Sequence, residues 1–197
     1  GNHSSGKMGY ALARRFAGEG ASVNLVSGPV QLALDHPSVT IPRVRSAAQM
    51  EKETSGFFDG ADIVVFAAAV ADYTPAEPRS SKLKRAGEEM TIKLKATSDI
   101  AASLGSRRTP AQILTGFALE TENGMENAIL KREKKNLDLI VLNRLGDPGA
   151  GFDVDTNKII ILGKDNNPKE FELKSKDEVA GDILDEIYKL MAEKNEA

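Results

Sequence analysis

The chain has no cysteine. That excludes a disulfide framework, a thiolate metal site and a cysteine nucleophile. No apolar run approaches membrane-spanning length, and no secretory signal pattern opens the sequence. No membrane partner is expected, and the absent cysteines fit a cytoplasmic protein. Positive charge is not in surplus: the net charge is −3, which argues against a nucleic-acid partner. The basic residues are local and not interleaved with aromatics, as a single-strand platform requires. Neither a G-x-G-x-x-G fingerprint nor a Walker A loop is present, since Lys7 is followed by Met8 instead of Ser or Thr. There is no internal repeat and no low-complexity segment.

What is there is an ordinary soluble composition. The 197 residues are 41% hydrophobic and 28% charged, which suits one α/β domain with a real core. The first part of the unbroken apolar run Ile63–Ala71 predicts a strand buried on both faces, and the small residues that follow leave room for a ligand to approach the backbone. Asp72 arrives where that strand should end. In open α/β sheets, ligands gather outside the carboxyl ends of the strands. Asp72 is therefore either a recognition group or a cap on the turn before Pro75.

Upstream, Asn2-His3-Ser4-Ser5-Gly6-Lys7-Met8-Gly9 leads into a helix with an apolar stripe of Met8, Leu12 and Phe16. Ser4 or Ser5 is the expected cap, and Gly18 and Gly20 can end it. The segment reads as a capped helix start or as a cradle for phosphate or carboxylate. Strands are expected at 21–26 and at 39–44, with a helix over 46–58. A first helix with no strand before it suggests that an upstream strand is absent here. Residues 74–87 read as a polar flap, carrying Arg79, Lys82, Lys84 and Arg85. The alternation over 90–95 suits a half-buried antiparallel strand. Ser98 is the expected cap of a short helix ending near Gly105. A buried strand over 112–117 follows, then a helix over 122–135 whose basic end complements its dipole. A strand over 137–142, a hairpin over about 158–173 and an amphipathic helix over 177–191 complete the order. Val179, Ile183, Ile187 and Leu190 are the inward stripe of that last helix. The expected fold is a single α/β domain over 1–197. It has a Rossmann-like, mostly parallel sheet with helices on both faces, an antiparallel extension and a flexible flap.

Several pieces now coincide in order and spacing. They are Asn2 to Gly9, Leu25-Val26-Ser27-Gly28-Pro29, Ala68-Ala69-Val70-Ala71-Asp72-Tyr73, Lys82-Leu83-Lys84-Arg85, Gly116-Phe117-Ala118 and Lys135-Asn136-Leu137-Asp138-Leu139-Ile140. This series resembles bacterial phosphopantothenate–cysteine ligase, the C-terminal half of a bifunctional coenzyme A biosynthesis flavoprotein. The resemblance runs from Asn2 to the terminal helix. It implies a reaction in which the carboxylate of 4'-phosphopantothenate attacks the α-phosphorus of CTP. L-cysteine's amine then captures the acyl-cytidylate. It also implies Mg²⁺ with the triphosphate, a homodimer, and a decarboxylase domain fused or associated. No FMN and no decarboxylase activity are expected in this chain.

Carried over by resemblance, Asn2 holds the acyl-cytidylate and Lys82 is the flap lysine that closes on the triphosphate. Phe66, Ala67, Ala68 and Asp72 meet the nucleotide. Ser98, Asp99, Ile100 and Ala101 form a nucleotide-contacting helix start, although the family has proline where Ser98 stands. Phe117 packs near base or ribose, and Lys131 and Lys135 bind the nucleotide from one helical face. Arg85 stands where the family has lysine, and the family's Gly-rich loop before Asn2 is absent. Metal ligands are not assigned. Two other readings remain open: an NAD(P)-dependent Rossmann-type oxidoreductase and a non-catalytic nucleotide-binding module.

Overall fold

The computed structural model describes residues 4–77, 81, 90–120, 123–144 and 154–196. Helix α1 (Lys7–Gly18) buries Leu12 and Phe16, with Met8 packed beside them, as the spacing predicts. Its cap is Gly6, not Ser4 or Ser5. Gly6 has φ 75°, a left-handed conformation that favours glycine, and a Cβ there would stand 3.0 Å from Val30. Ser4 and Ser5 instead accept from the amides of Gly6 and Lys7, both at 3.4 Å.

Strands β1 (Val23–Asn24) and β2 (Val39–Thr40) pair in parallel and are shorter than expected. Pro42 has no amide to give, and a lone bridge between Ser27 and Arg43 carries the alignment past it. Helix α2 (Ala47–Phe58) is capped by Ser46, whose side chain accepts from the Gln49 amide at 3.2 Å. Phe58 anchors its end in the core.

Strand β3 (Ile63–Phe66) takes the first part of the apolar run, as expected, but it is not buried on both faces. The strand stops at Phe66, and all four residues are half-buried. Among the described strands β3 lies at a sheet edge, so neighbours cover it less than a central strand. The alanines that follow leave the sheet. Next come β4 (Tyr73–Pro75) and β5 (Leu94–Ala96), an antiparallel pair with Tyr73 opposite Ala96 and Pro75 opposite Leu94. The strand expected over 90–95 is thus shifted, and its residues are exposed instead of half-buried. The expected flap begins as β4; 78–80 and 82–89, Lys82 included, lie outside the described residues.

Helix α3 (Ile100–Gly105), β6 (Ile113–Glu120), α4 (Gly124–Lys134) and β7 (Leu139–Arg144) follow. The hairpin β8 (Thr156–Leu162) and β9 (Pro168–Ser175) and the long helix α5 (Lys176–Glu196) complete the chain. The main sheet runs β3-β6-β7-β8-β9, with β3, β6 and β7 paired in parallel and β8 antiparallel to both β7 and β9.

Alternation along the strands sorts the core into two faces. Ile113, Leu139, Val141, Ile159 and Ile161 point at α1 and α5, meeting Val179, Ile183 and Ile187. On the other face Ile140, Leu142, Ile160 and Leu162 meet α4 through Ala128. Leu114 meets Phe58, Ile100 and Leu104 there, with Val64 and Phe66 alongside. Helices therefore cover both faces of a mostly parallel sheet, as the sequence implied.

The amino end of β7 carries a buried charge. Asp138 is 2% exposed and accepts the Leu114 amide at 2.9 Å. Arg108 contacts it at 2.6 Å, Lys164 at 3.2 Å and Lys194 at 3.4 Å. Lys194 also donates to the carbonyls of Pro110 and Gln112, which ties the end of α5 to the foot of the sheet. No described helix is long and apolar enough to cross a membrane.

Candidate active site

The carboxyl end of β3 lies beside the middle of β6, with Phe66 in register with Gly116. From β3 the chain runs through Ala67 and Ala68 to Asp72. Thr97 ties that loop to the start of α3. Its hydroxyl donates to the Ala71 carbonyl at 2.6 Å, and its amide donates to the Asp72 carbonyl at 2.9 Å. The segments Phe66–Asp72 and Ser98–Ala101, far apart in sequence, are thereby neighbours. Ala68, Asp72, Ser98 and Asp99 are exposed along this corner, while Ile100 and Ala101 are buried beneath it.

Asp99, not Ser98, caps α3, because its carboxylate accepts the Ala102 amide at 3.1 Å. The same oxygen meets Lys135 Nζ at 3.2 Å. Burial pushes the Asp99 carboxyl up, but the capping bond and Lys135 outweigh it and hold it below the ordinary value. Lys135 is itself fixed from behind. Its carbonyl presses against Gly105 and leaves no room there for a Cβ. Next to it, Asn136 at φ 50° donates to the Gly105 carbonyl at 2.8 Å.

One turn back on α4, Lys131 pairs with Glu120, the last residue of β6. Glu120 and its partner Asn127 were not anticipated from the sequence. The usable signal was a carboxylate closing a buried strand, as Asp72 follows β3. Phe117 is separated from the rest. Its ring packs on the α1 and α5 face, whereas Phe66 packs on the α3 face. At the top of the α1 face, Asn157 donates to Asn143 at 3.1 Å and its buried Oδ1 has no partner. Lys7 of the helix start reaches Asp155 at 2.8 Å. Asn2 and Lys82 lie outside the described residues. Among the described residues no three His, Asp or Glu are grouped to hold a metal.

The family described as the DNA/pantothenate metabolism flavoprotein C-terminal domain matches residues 1–191. The chain belongs to this family. A DNA/pantothenate metabolism flavoprotein C-terminal domain accounts for the order of short motifs and for the mixed sheet together. The chain is 50% identical over 190 residues to a cysteine/cysteine sulfinic acid decarboxylase from an unknown prokaryotic organism, covering 96% of this chain and 53% of that protein. It is 43% identical over 195 residues to the coenzyme A biosynthesis bifunctional protein CoaBC of Bacillus subtilis (strain 168), covering 99% of this chain and 48% of that protein. The chain thus spans about half the length of the curated relatives it matches. Among solved structures, the C-terminal domain of a coenzyme A biosynthesis bifunctional protein CoaBC superposes with a TM-score of 0.81 at 36% identity. That match covers 98% of this chain and 86% of the other.

Proposed function

We propose that this chain ligates 4'-phosphopantothenate to L-cysteine at the expense of CTP, in coenzyme A biosynthesis. The observation that carries the reading is the Thr97 tie. It sets the Phe66–Asp72 loop beside the start of α3, whose cap Asp99 holds Lys135. A nucleotide-sized anion would find there an apolar floor, an exposed carboxylate for an exocyclic amine and cations from α4. The likeness to CoaBC supports the same reading.

In the first step the phosphopantothenate carboxylate attacks the α-phosphorus of CTP. The bond to the β-phosphate oxygen breaks and pyrophosphate leaves. In the second, the cysteine amine attacks the acyl carbonyl of the acyl-cytidylate. An amide forms, CMP leaves, and the amine loses a proton. Positioning and charge stabilisation dominate such chemistry. Asp72 would accept from the cytosine amine. Lys135, Lys131 and Lys82 would meet the phosphates, and Asn2 would donate to the acyl oxygen as charge develops on it. The described residues supply no carboxylate cage, so Mg²⁺ would enter on the triphosphate, with phosphate oxygens and water as its main ligands. Bound there, it would offset leaving-group charge.

A homodimer is part of the proposal. Tyr73, Met90, Ile92 and Leu94 are more than half exposed around the β4–β5 arm, an apolar surface that suits a protein interface. A cytoplasmic location and a fused decarboxylase partner follow the same reading. The name of the first relative favours a second activity, cysteine or cysteine sulfinic acid decarboxylation. We assign that chemistry to the half of that protein outside the match. Incubation with CTP, 4'-phosphopantothenate, L-cysteine and Mg²⁺ should yield phosphopantothenoylcysteine and CMP by mass spectrometry, with no carbon dioxide released. Carbon dioxide without the amide product would reverse the choice.

A further inference from the structure

Glu120 closes β6, and helix α4 is shaped around it. Its carboxylate is largely buried, with 13% of the side chain exposed. One oxygen takes the Lys131 ammonium, and the other takes the Asn127 side-chain amide at 3.2 Å. Gly124 leaves room for the stem, since a Cβ at Gly124 would stand 3.2 Å from the Glu120 Cβ. Gly124, Asn127 and Lys131 lie three and four residues apart, on one face of the helix. With both oxygens engaged and its stem confined, Glu120 is a fixed anion. Lys131 is different: 46% of its side chain is exposed. Its ammonium is gripped from one side and open on the other.

An ammonium carries three donors. Glu120 uses one, which leaves donors for an incoming phosphate. A free lysine loses rotamer freedom when it engages a ligand. Here that ordering is already done before the ligand arrives. The neighbouring carboxylate also weakens the lysine's pull on an anion, but solvent screens that opposing effect at a half-exposed position. We propose that Glu120 is a positioning residue that presets Lys131 for the nucleotide's phosphates. The role rests on the ligase reading above. Glu120 acts through Lys131 and touches no substrate itself.

The first measurement needs no nucleotide. A small amine-reactive ester acylates Lys131, and peptide mass spectrometry gives the rate. Glu120→Gln should raise that rate about five-fold, the factor expected from losing one partly exposed ion pair. An unchanged rate overturns the proposal. The second measurement is pyrophosphate release from CTP, with circular dichroism confirming that each variant is folded. Glu120→Gln should raise KM for CTP about five-fold and leave kcat within two-fold, as loss of binding shared by ground and transition states requires. In a Lys131→Met background the same substitution should move KM no further. A purely structural role would raise KM again in that background, and that result, or an unmoved KM in the single variant, overturns the proposal. If the unaltered chain released no pyrophosphate while the acylation rates behaved as expected, the ligase reading would fall and the nucleotide role of Glu120 with it.

Discussion

Asp99 Oδ1 stands 3.2 Å from Lys135 Nζ while accepting the Ala102 amide at 3.1 Å. One carboxylate oxygen thus starts helix α3 and holds Lys135, the cation that follows α4. The two duties can be separated. Asparagine caps helices as well as aspartate but carries no charge. Asp99→Ala should cost about 0.5–2 kcal/mol of stability through the lost cap. Asp99→Asn should cost about 0–1 kcal/mol, the ion-pair share alone. Urea unfolding of the two variants checks this, and equal losses would show that the cap contributes nothing.

The foot of the sheet gives a pH prediction. Burial raises the Asp138 carboxyl, but the bonds from Arg108 and Leu114, with the charge of Lys194, outweigh it and hold it below the ordinary value of 3.8. A carboxyl depressed in the fold contributes stability that is full above its unfolded pKa and lost as pH falls through the folded one. The loss from this group therefore begins near pH 3.8 and deepens below it. Asp138→Asn should remove that acid limb and cost about 3–5 kcal/mol at neutral pH, because it strands the buried Arg108 guanidinium. Denaturant titrations at pH 7, 4 and 3 read both effects. A variant with an unaltered acid limb would assign it to other carboxylates.

Gly105 sits against the carbonyl of Lys135 with no room for a methyl. Gly105→Ala should destabilise by about 1–3 kcal/mol, the usual range for overpacking. It should also raise KM for CTP, because Lys135 moves. Gly56 in α2 is the control, since a Cβ there meets nothing within 4 Å. Gly56→Ala should stabilise by about 0.4–1 kcal/mol. Thermal melts of both variants decide it, and a neutral Gly105→Ala would contradict the close packing.

The elements that bury a whole stripe were legible from sequence. Leu12 and Phe16 of α1, and Val179, Ile183 and Ile187 of α5, fall where the period puts them. The β8–β9 hairpin was legible from the turn residues between its strands. The apolar run after Ile63 misled because composition reports burial, and at a sheet edge burial is set by strands that the local sequence does not name. The cap of α3 was misread by one residue, since Ser98 and Asp99 are both good caps and only the backbone chooses between them. Within the site, family likeness named single residues. It did not name their partners: Glu120 under Lys131, and Gly105 behind Lys135, are contacts between elements.

Two substitutions test residues outside the described part of the chain. Lys82→Gln should abolish most turnover while the fold stays intact, if its charge meets the triphosphate as proposed. Asn2→Asp should slow the cysteine-dependent half-reaction, because it sets a negative charge beside a developing oxyanion. Rapid-quench separation of the two half-reactions measures each. Unchanged turnover in Lys82→Gln, or normal cysteine-dependent turnover in Asn2→Asp, would remove that residue from the mechanism.

The most direct test of the central claim is pyrophosphate release with Mg²⁺ and 4'-phosphopantothenate, with and without cysteine, using CTP and ATP in parallel. The account predicts release that requires phosphopantothenate, prefers CTP and becomes multiple-turnover only when cysteine is added. Nucleotide binding without any pyrophosphate release, or release indifferent to phosphopantothenate, would contradict it.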